Sequence, residues 1–388
     1  MHSCELVTDP ERLVAVAAQL AGAPALAVDT EFVRRTTFYA RPGLLQLSAG
    51  DGEFLVDLVA MPEVPALRPL FLAATPLKVM HSCSEDLEVL KRLFGAVPGS
   101  LVDTQVAAAM LGHPLQTSYQ KIIKAELGID VPKDETQSDW TARPLSEAQL
   151  SYAALDVRHL LPLWHQLDAA LRARGRREWL QEDCDRLLAD AGREVPAQDY
   201  YRQIGGASRL RPASLALLAR LATWREVTAR QADKPRSHVV PDPVLLAVAQ
   251  RRPDSAAHLR NIADLHPSSL RRYGDDLLRM VHESRVSPAT MPVVTPVPPP
   301  LPREAKAVLS ALRDVAAKAA AELGVEVEVL ARRRFLEAIV DSVRVGTPAL
   351  PPMLAGWRRP LVGDRLLEAA MARADEIRSW EAEAVADE

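Results

Sequence analysis

The chain is short of several things, and each shortage rules something out. Three cysteines, Cys4, Cys83 and Cys184, are scattered along 388 residues. That usage argues against a disulfide scaffold, offers no Cys-x-x-Cys zinc spacing and is expected of a reducing compartment. No run reaches the roughly eighteen apolar residues that a membrane helix needs. The apolar stretch from Leu13 to Val28 resembles a signal peptide only superficially. It follows Glu5, Asp9 and Glu11 instead of a basic segment, and Gln19, Gly22 and Pro24 interrupt it. Basic charge is not in excess either: a net charge of −4 excludes a strongly basic nucleic-acid coat but leaves room for a local basic groove. A Gly-x4-Gly-Lys-[Ser/Thr] motor sequence is also missing. What remains is a cytoplasmic, multidomain protein, because 388 residues exceed one comfortable core.

The organisation is read from periodicity. Thr8 or Asp9 caps a first helix over 10–21, with Leu13, Val16, Ala17 and Leu20 at helical spacing. Three strand-like runs follow at 25–32, 44–49 and 53–58, the last two joined by the turn pair Asp51-Gly52. A helix at 65–73, a buried strand at 77–81 and a strand end at 101–105 running into a helix complete a mixed α/β sheet. Ser82 with Glu85 fits a capping box that places Asp86 in the first turn of the next helix, and Ser146 with Gln149 starts another. Beyond a wrapping segment at 193–206 the pattern is purely helical, at 214–230, 243–251, 255–264 and 267–283. The segment 287–302 carries seven prolines and reads as an extended linker. Helices resume at 303–323, 327–342 and 363–384.

Chemistry enters with Asp29 and Glu31. They are two apart in a stretch that reads as a buried strand, so both side chains project from one face. Two carboxylates on a buried face repel and are poorly solvated unless a cation lies between them, and a hard divalent cation is the usual solution. Taken alone, each acid has a plainer reading. An Asp-x-Glu pair is more often a solvated turn or salt-bridge pair, and Asp86 alone stabilises a helix start through the dipole. Tyr152 and Asp156, four apart, share a helical face, which alone is more often a surface hydrogen bond.

The set as a whole resembles the DEDD superfamily of exonucleases, in the subgroup with tyrosine in the last motif, and within it the ribonuclease D family. Three stretches carry the resemblance: Asp29-Thr30-Glu31-Phe32-Val33-Arg34, His81-Ser82-Cys83-Ser84-Glu85-Asp86-Leu87 and Ser151-Tyr152-Ala153-Ala154-Leu155-Asp156-Val157. Asp103-Thr104-Gln105 and the run from Ser138 to Ser146 are also similar to that family. The implied fold class is an α/β ribonuclease H-like mixed-sheet exonuclease domain followed by two all-α helical HRDC-type domains. The implied division is an exonuclease domain at 1–195, a linker at 196–209, an HRDC domain at 210–288, the proline-rich linker at 289–302 and a second HRDC-like domain at 303–388. The first HRDC module rests on the sequences around Leu221-Ala222-Thr223-Trp224-Arg225 and Val244 to Ala249; the second rests on position and helix count.

The resemblance also implies roles. Asp29 would bridge two divalent cations, Mg²⁺ or Mn²⁺, with Glu31 and Asp156 completing the site of the nucleophilic water and Asp86 supporting the second ion. Tyr152 would orient that water. As a phenol with an ordinary pKa of about 10, it is a poor base without the metal's help. The implied partner is RNA with a free 3′ end, such as tRNA precursors and other small stable RNAs, cut to nucleoside 5′-monophosphates, and the implied state is a monomer. A 3′–5′ DNA exonuclease of the same superfamily and a non-catalytic RNA-binding scaffold remain the alternatives. Phe32 and His81, beside the acids, are candidates for the terminal nucleotide's pocket, against the readings of core residue and satisfied buried histidine. Lys133, Trp140 and Arg143 are candidates for phosphate or base contact, against a Trp140 that anchors its loop. Arg251-Arg252 and Arg271-Arg272 are expected on solvated helix faces.

Overall fold

A computed structural model describes residues 4–132 and 138–386, with side chains to Trp380. The strands are β1 Cys4–Val7, β2 Ala25–Val33, β3 Arg41–Ser48, β4 Glu53–Asp57, β5 Leu77–Met80 and β6 Leu101–Asp103. Among them run helices α1 Pro10–Leu20, α2 Arg68–Leu72, α3 Asp86–Phe94, α4 Thr104–Met110, α5 Tyr119–Leu127, α6 Glu147–Arg158, α7 Leu160–Ala173 and α8 Arg177–Gly192. Then come α9 Pro212–Gln231, α10 Arg236–Val239, α11 Asp242–Arg251, α12 Ala256–Arg260 and α13 Pro267–Val286. The chain closes with α14 Ala305–Leu323, α15 Val327–Leu330, α16 Arg333–Arg344, α17 Asp364–Met371 and α18 Ala374–Ala386. Among the described residues no helix is long and apolar enough to cross a membrane.

The strands form one mixed sheet in the order β1-β4-β3-β2-β5-β6. β3 and β4 make the expected antiparallel hairpin, with Ser48 opposite Glu53 across the Asp51-Gly52 turn. β5 lies parallel to β2 and to β6, and β1 parallel to β4. β1 is an addition to the sequence reading: only one of its four residues, Val7, is buried, so its pattern carries almost no strand signal. Alternation sorts the sheet into two faces. Val28, Leu45, Leu47 and Val56 join Val16, Phe71, Leu87 and Leu90 in one core. Ala27, Val79 and Val102 face the other way, against Leu163 and Leu167 of α7. Asp29 and Glu31 fall on the face of Ala25 and Ala27, at the end of β2 where apolar packing stops.

Local sequence explains the elements that matter for the site. α1 starts where the Asp9 carboxylate accepts from the Arg12 N–H, with Pro10 in the first turn. α6 has the expected capping box: the Gln149 N–H donates to Ser146 Oγ, and the Ser146 N–H to Gln149 Oε1. The other capping box does not form. Ser82 sits in the left-handed region, at φ 58°, and its N–H and that of Cys83 both donate to the Asp103 carboxylate at 3.0 Å. Asp103 also caps α4 through the N–H groups of Gln105 and Val106. A buried acid from β6 therefore takes the Ser82 N–H that the Glu85 side chain would accept in a capping box, and Asp86 still opens α3 without a side-chain cap.

The described residues of 1–33, 42–192 and 301–388 form one compact unit, and those of 34–41 with 193–300 another. The C-terminal helices thus share a core with the sheet instead of standing as a module of their own. Val308, Leu312, Ile339 and Leu366 lie in the same apolar cluster as Val102, Leu167 and Cys184. α8 is the go-between. Its Trp179 stacks on Trp357 at 4.6 Å between ring centres, and its Asp183 takes a bidentate pair from Arg358 at 2.6 and 2.7 Å. The second unit is built by α9 to α13 around Leu217, Leu218, Leu221, Leu245 and Leu277.

Candidate active site

Three elements deliver the four acids. β2 presents Asp29 and Glu31, the first turn of α3 presents Asp86, and α6 presents Tyr152 and Asp156. Asp29, Glu31 and Asp156 bring carboxylate oxygens to within 4.8 Å of one another, each side chain half-buried. Asp86 stands beside this trio and is held by the residue between the two β2 acids: Thr30 Oγ1 donates to Asp86 Oδ1 at 2.5 Å. Thr30 was not singled out from the sequence. Strand alternation turns it away from Asp29 and Glu31, and that placement was the available signal that it serves a different partner.

The electrostatics show what the site lacks without a cation. Burial, then the charges of Asp86, Asp156 and Glu31, push the Asp29 carboxyl well above the usual carboxylate range. Burial, then Asp156 and Asp86, raise Glu31 to about 9. Burial raises Asp156 to about 7, against the hydrogen bond from Tyr152 that lowers it, with Asp86 adding to the rise. Burial raises Asp86 to about 6, partly offset by the Thr30 hydrogen bond. Burial, followed by the charges of Asp156, Glu31 and Asp29, drives the Tyr152 phenol up, so it stays protonated and donates to Asp156. Four carboxyls that resist ionisation together fit a site whose cation supplies the missing positive charge. The donor set is oxygen throughout, with no histidine or cysteine among it, which suits a hard divalent ion.

The scaffold around the acids engages several residues expected to touch substrate. His81 is a satisfied buried histidine: its ring nitrogens meet Thr104 Oγ1 at 2.9 Å and the Thr117 carbonyl at 3.1 Å. Its ring lies edge-on to Tyr119, whose hydroxyl donates to the carbonyl of Leu155, one residue before Asp156. His81 therefore supports the α6 acid through Tyr119, with both of its ring nitrogens engaged. Arg143 is likewise committed, to both Asp57 oxygens at 2.6 Å and to the carbonyls of Gly43, Trp140 and Ala142. Trp140 is 2% exposed, packed with Leu44, Leu55, Leu145 and Ala153, its ring centre 6.0 Å from that of Tyr152. Gly43 permits this approach, since a Cβ there would lie 2.3 Å from the Trp140 carbonyl oxygen. Trp140 and Arg143 thus anchor the loop that leads into α6. Phe32 is half-buried on β2 beside Glu31, and Lys133 lies outside the described residues.

Fold and site together define the class, a metal-dependent 3′–5′ exonuclease of the DEDD superfamily. Residues 4–172 match a family model described as 3′-5′ exonuclease, and residues 214–281 match an HRDC domain model. The curated ribonuclease D of Pseudomonas paraeruginosa is 41% identical, over 89% of this chain and 92% of that protein. That of Escherichia coli K12 is 33% identical, over 93% and 97%. The crystal structure of E. coli RNase D, described as an exoribonuclease involved in structured RNA processing, superposes with a TM-score of 0.88 at 30% identity, covering 95% of this chain and 98% of that one. The catalytic core of RRP6 from Trypanosoma brucei gives 0.58 at 26% identity over 73% of this chain. The chain belongs to the ribonuclease D family of 3′–5′ exoribonucleases.

Proposed function

We propose that the four acids hold two divalent cations, Mg²⁺ or Mn²⁺, and that the chain uses them to remove nucleotides one at a time from the 3′ end of RNA. The observation that carries the reading is the oxygen-only cluster of Asp29, Glu31 and Asp156, with Asp86 electrostatically joined to it. When bound, such ions supply the charge that activates a water and steadies the leaving oxygen of a phosphodiester. In this reading Asp29, Glu31 and Asp156 would hold the ion on the water's side, with Asp29 also available to a second ion that Asp86, steadied by Thr30, would serve. Tyr152 keeps its proton. It hydrogen-bonds Asp156 and orients the attacking water, and it is not the base. Phe32, next to Glu31 in β2, is the residue this reading assigns to the border of the terminal nucleotide's pocket.

The substrates of this reading are tRNA precursors and other small stable RNAs in the cytoplasm, cut to nucleoside 5′-monophosphates by a monomer; the likeness to ribonuclease D, described as acting in structured RNA processing, supports the choice of RNA. The HRDC module at 210–288 holds the RNA body, while 303–388 supports the exonuclease through the core they share. The test is a 5′-labelled tRNA-like RNA with extra 3′ nucleotides, incubated with magnesium and then with chelator. A ladder shortening from the 3′ end only with metal is expected. No ladder with magnesium or manganese defeats the reading, and faster shortening of a DNA strand of equal length transfers it to DNA.

A further inference from the structure

The strand that carries Asp29 and Glu31 leaves the sheet at Val33, and the seven residues before β3, 34–40, join neighbouring strands of one sheet. Loops between such neighbours usually need two to five residues and run over the surface. This one is built into the helical unit. Phe38, 7% exposed, lies in the same apolar cluster as Leu218, Leu221 and Leu245. Guanidinium groups of Arg230 and Arg236 sit 5.1 and 4.7 Å from its ring centre, and both are held by the buried Glu226. The backbone of the loop is gripped as well. N–H groups of Phe38 and Tyr39 both donate to Asp233 Oδ1 at 3.1 Å, nearly two hundred residues away in sequence. Asp233 sits at φ 46°, in the left-handed region, in the turn after α9. The loop adds its own ties, from Thr37 Oγ1 to the Tyr39 carbonyl and from Arg34 to the Phe38 carbonyl.

We propose that Asp233 is a positioning residue for the metal site: by clamping the 34–40 loop to the helical unit it fixes the end of β2 that presents Glu31, three residues before the loop begins. The inference rests on the reading of Asp29 and Glu31 as metal ligands, which Asp29→Asn tests separately. The physical basis is a chain-continuity argument. A strand end followed by a free seven-residue loop frays at little cost, whereas one tied by two charge-assisted hydrogen bonds and a buried ring does not. The helical unit thereby acts on catalysis through the hydrogen bonds of Asp233 to the loop and the short covalent path from Phe38 back to Glu31, without itself reaching substrate.

Two substitutions separate the acceptor from the backbone. Asp233→Asn keeps an oxygen for both N–H groups and tolerates the left-handed conformation, and Asp233→Gly keeps that conformation but removes the acceptor. Three readouts apply to the full chain: trypsin cleavage at Arg34 and Arg35 in the metal-free protein, the Mn²⁺ concentration giving half of the metal-induced rise in melting temperature, and single-turnover cleavage of a short RNA. For Asp233→Gly we expect cleavage at Arg34–Arg35 to accelerate about tenfold or more and the Mn²⁺ midpoint to rise about tenfold, matching the loss of hydrogen bonds to a charged acceptor. Asp233→Asn, which keeps the acceptor oxygen but loses its charge, falls between wild type and the Gly variant in both readouts. Should the Gly variant fail to fold, Phe38→Leu, which keeps the core filled but drops the ring contacts, replaces it with the same expectation in direction. Faster trypsin cleavage with an unmoved Mn²⁺ midpoint and rate overturns the positioning role while leaving the acids as ligands. Unchanged trypsin cleavage overturns the clamp itself.

Discussion

Removing one charge from the acid cluster should stabilise the metal-free protein while destroying its activity. The substitution is Asp156→Asn, which preserves shape and an oxygen to accept from Tyr152. Burial and Asp86 raise the Asp156 carboxyl from 3.8 to about 7. A carboxyl raised in the folded state adds stability below its unfolded pKa and loses it as pH climbs through the folded value. At about 1.4 kcal/mol per unit, ionised Asp156 therefore costs about 4 kcal/mol at pH 8 in the presence of chelator, and almost nothing at pH 4. Asparagine is neutral at both. In differential scanning calorimetry with chelator, the sheet unit of Asp156→Asn should melt about 5–15 °C above wild type at pH 8, with the gap closing by pH 4. Manganese should reverse the order at pH 8, because wild type gains a ligand-bound state that the variant has largely lost. An Asn variant that melts below wild type in chelator at pH 8, or a gap that ignores pH, would refute the view of Asp156 as an acid held against its own repulsion.

Three further outcomes follow from the same structure. Tyr152→Phe should slow single-turnover cleavage about 100-fold, the scale of a misoriented nucleophile, while the Mn²⁺-induced melting shift persists; an unchanged rate would leave the tyrosine structural. Arg143→Ala should cost about 3–5 kcal/mol in urea unfolding, since Asp57 is 3% exposed and would be left as an uncompensated buried charge. Its Trp140 fluorescence should shift to the red; a stable variant with unshifted emission would mean that the loop is anchored elsewhere. Ending the chain at 300 should leave the exonuclease unable to fold, because Leu167, Cys184 and Trp179 lose the helices that bury them. A soluble, cooperatively melting 1–300 fragment would show that the C-terminal helices only decorate the sheet.

The site was more legible in the sequence than its supports, for physical reasons. Asp29, Glu31, Asp86, Tyr152 and Asp156 stand out because charge is rare beside apolar runs, and strand and helix periods say which way each side chain points. Strands with a strong alternation, β2 to β4, were visible for the same reason. β1 was not, because an edge strand with one buried residue has no pattern to read. Nor could the sequence tell that Asp103 would take the N–H groups of Ser82 and Cys83, since a capping motif competes with a tertiary acceptor visible only once β6 lies beside β5.

The residues misjudged as substrate contacts share one feature. His81 and Arg143 carry groups that bind nucleic acid well, and the same groups satisfy hydroxyls, carbonyls and carboxylates inside the fold, while the Trp140 ring that could stack on a base packs among leucines instead. Proximity to a motif in sequence does not distinguish the two uses; the partner does. Arg143 is engaged with Asp57, Gly43, Trp140 and Ala142, and two of those partners, Gly43 on β3 and Asp57 on β4, lie far from it in the chain. That the last helical region shares a core with the sheet failed to show for a related reason. An amphipathic helix reports that it has an apolar face and not what covers it, and α14, α16 and α17 pack theirs against one another in the apolar cluster that also holds Leu167 and Cys184. The same limit hid the 34–40 loop: Phe38 looked like one aromatic in a polar connection, and only its place among α9 leucines makes the loop part of the helical unit. Acids that must be close to work are therefore readable from local spacing, whereas the bonds that keep them close are long-range pairings that spacing does not encode.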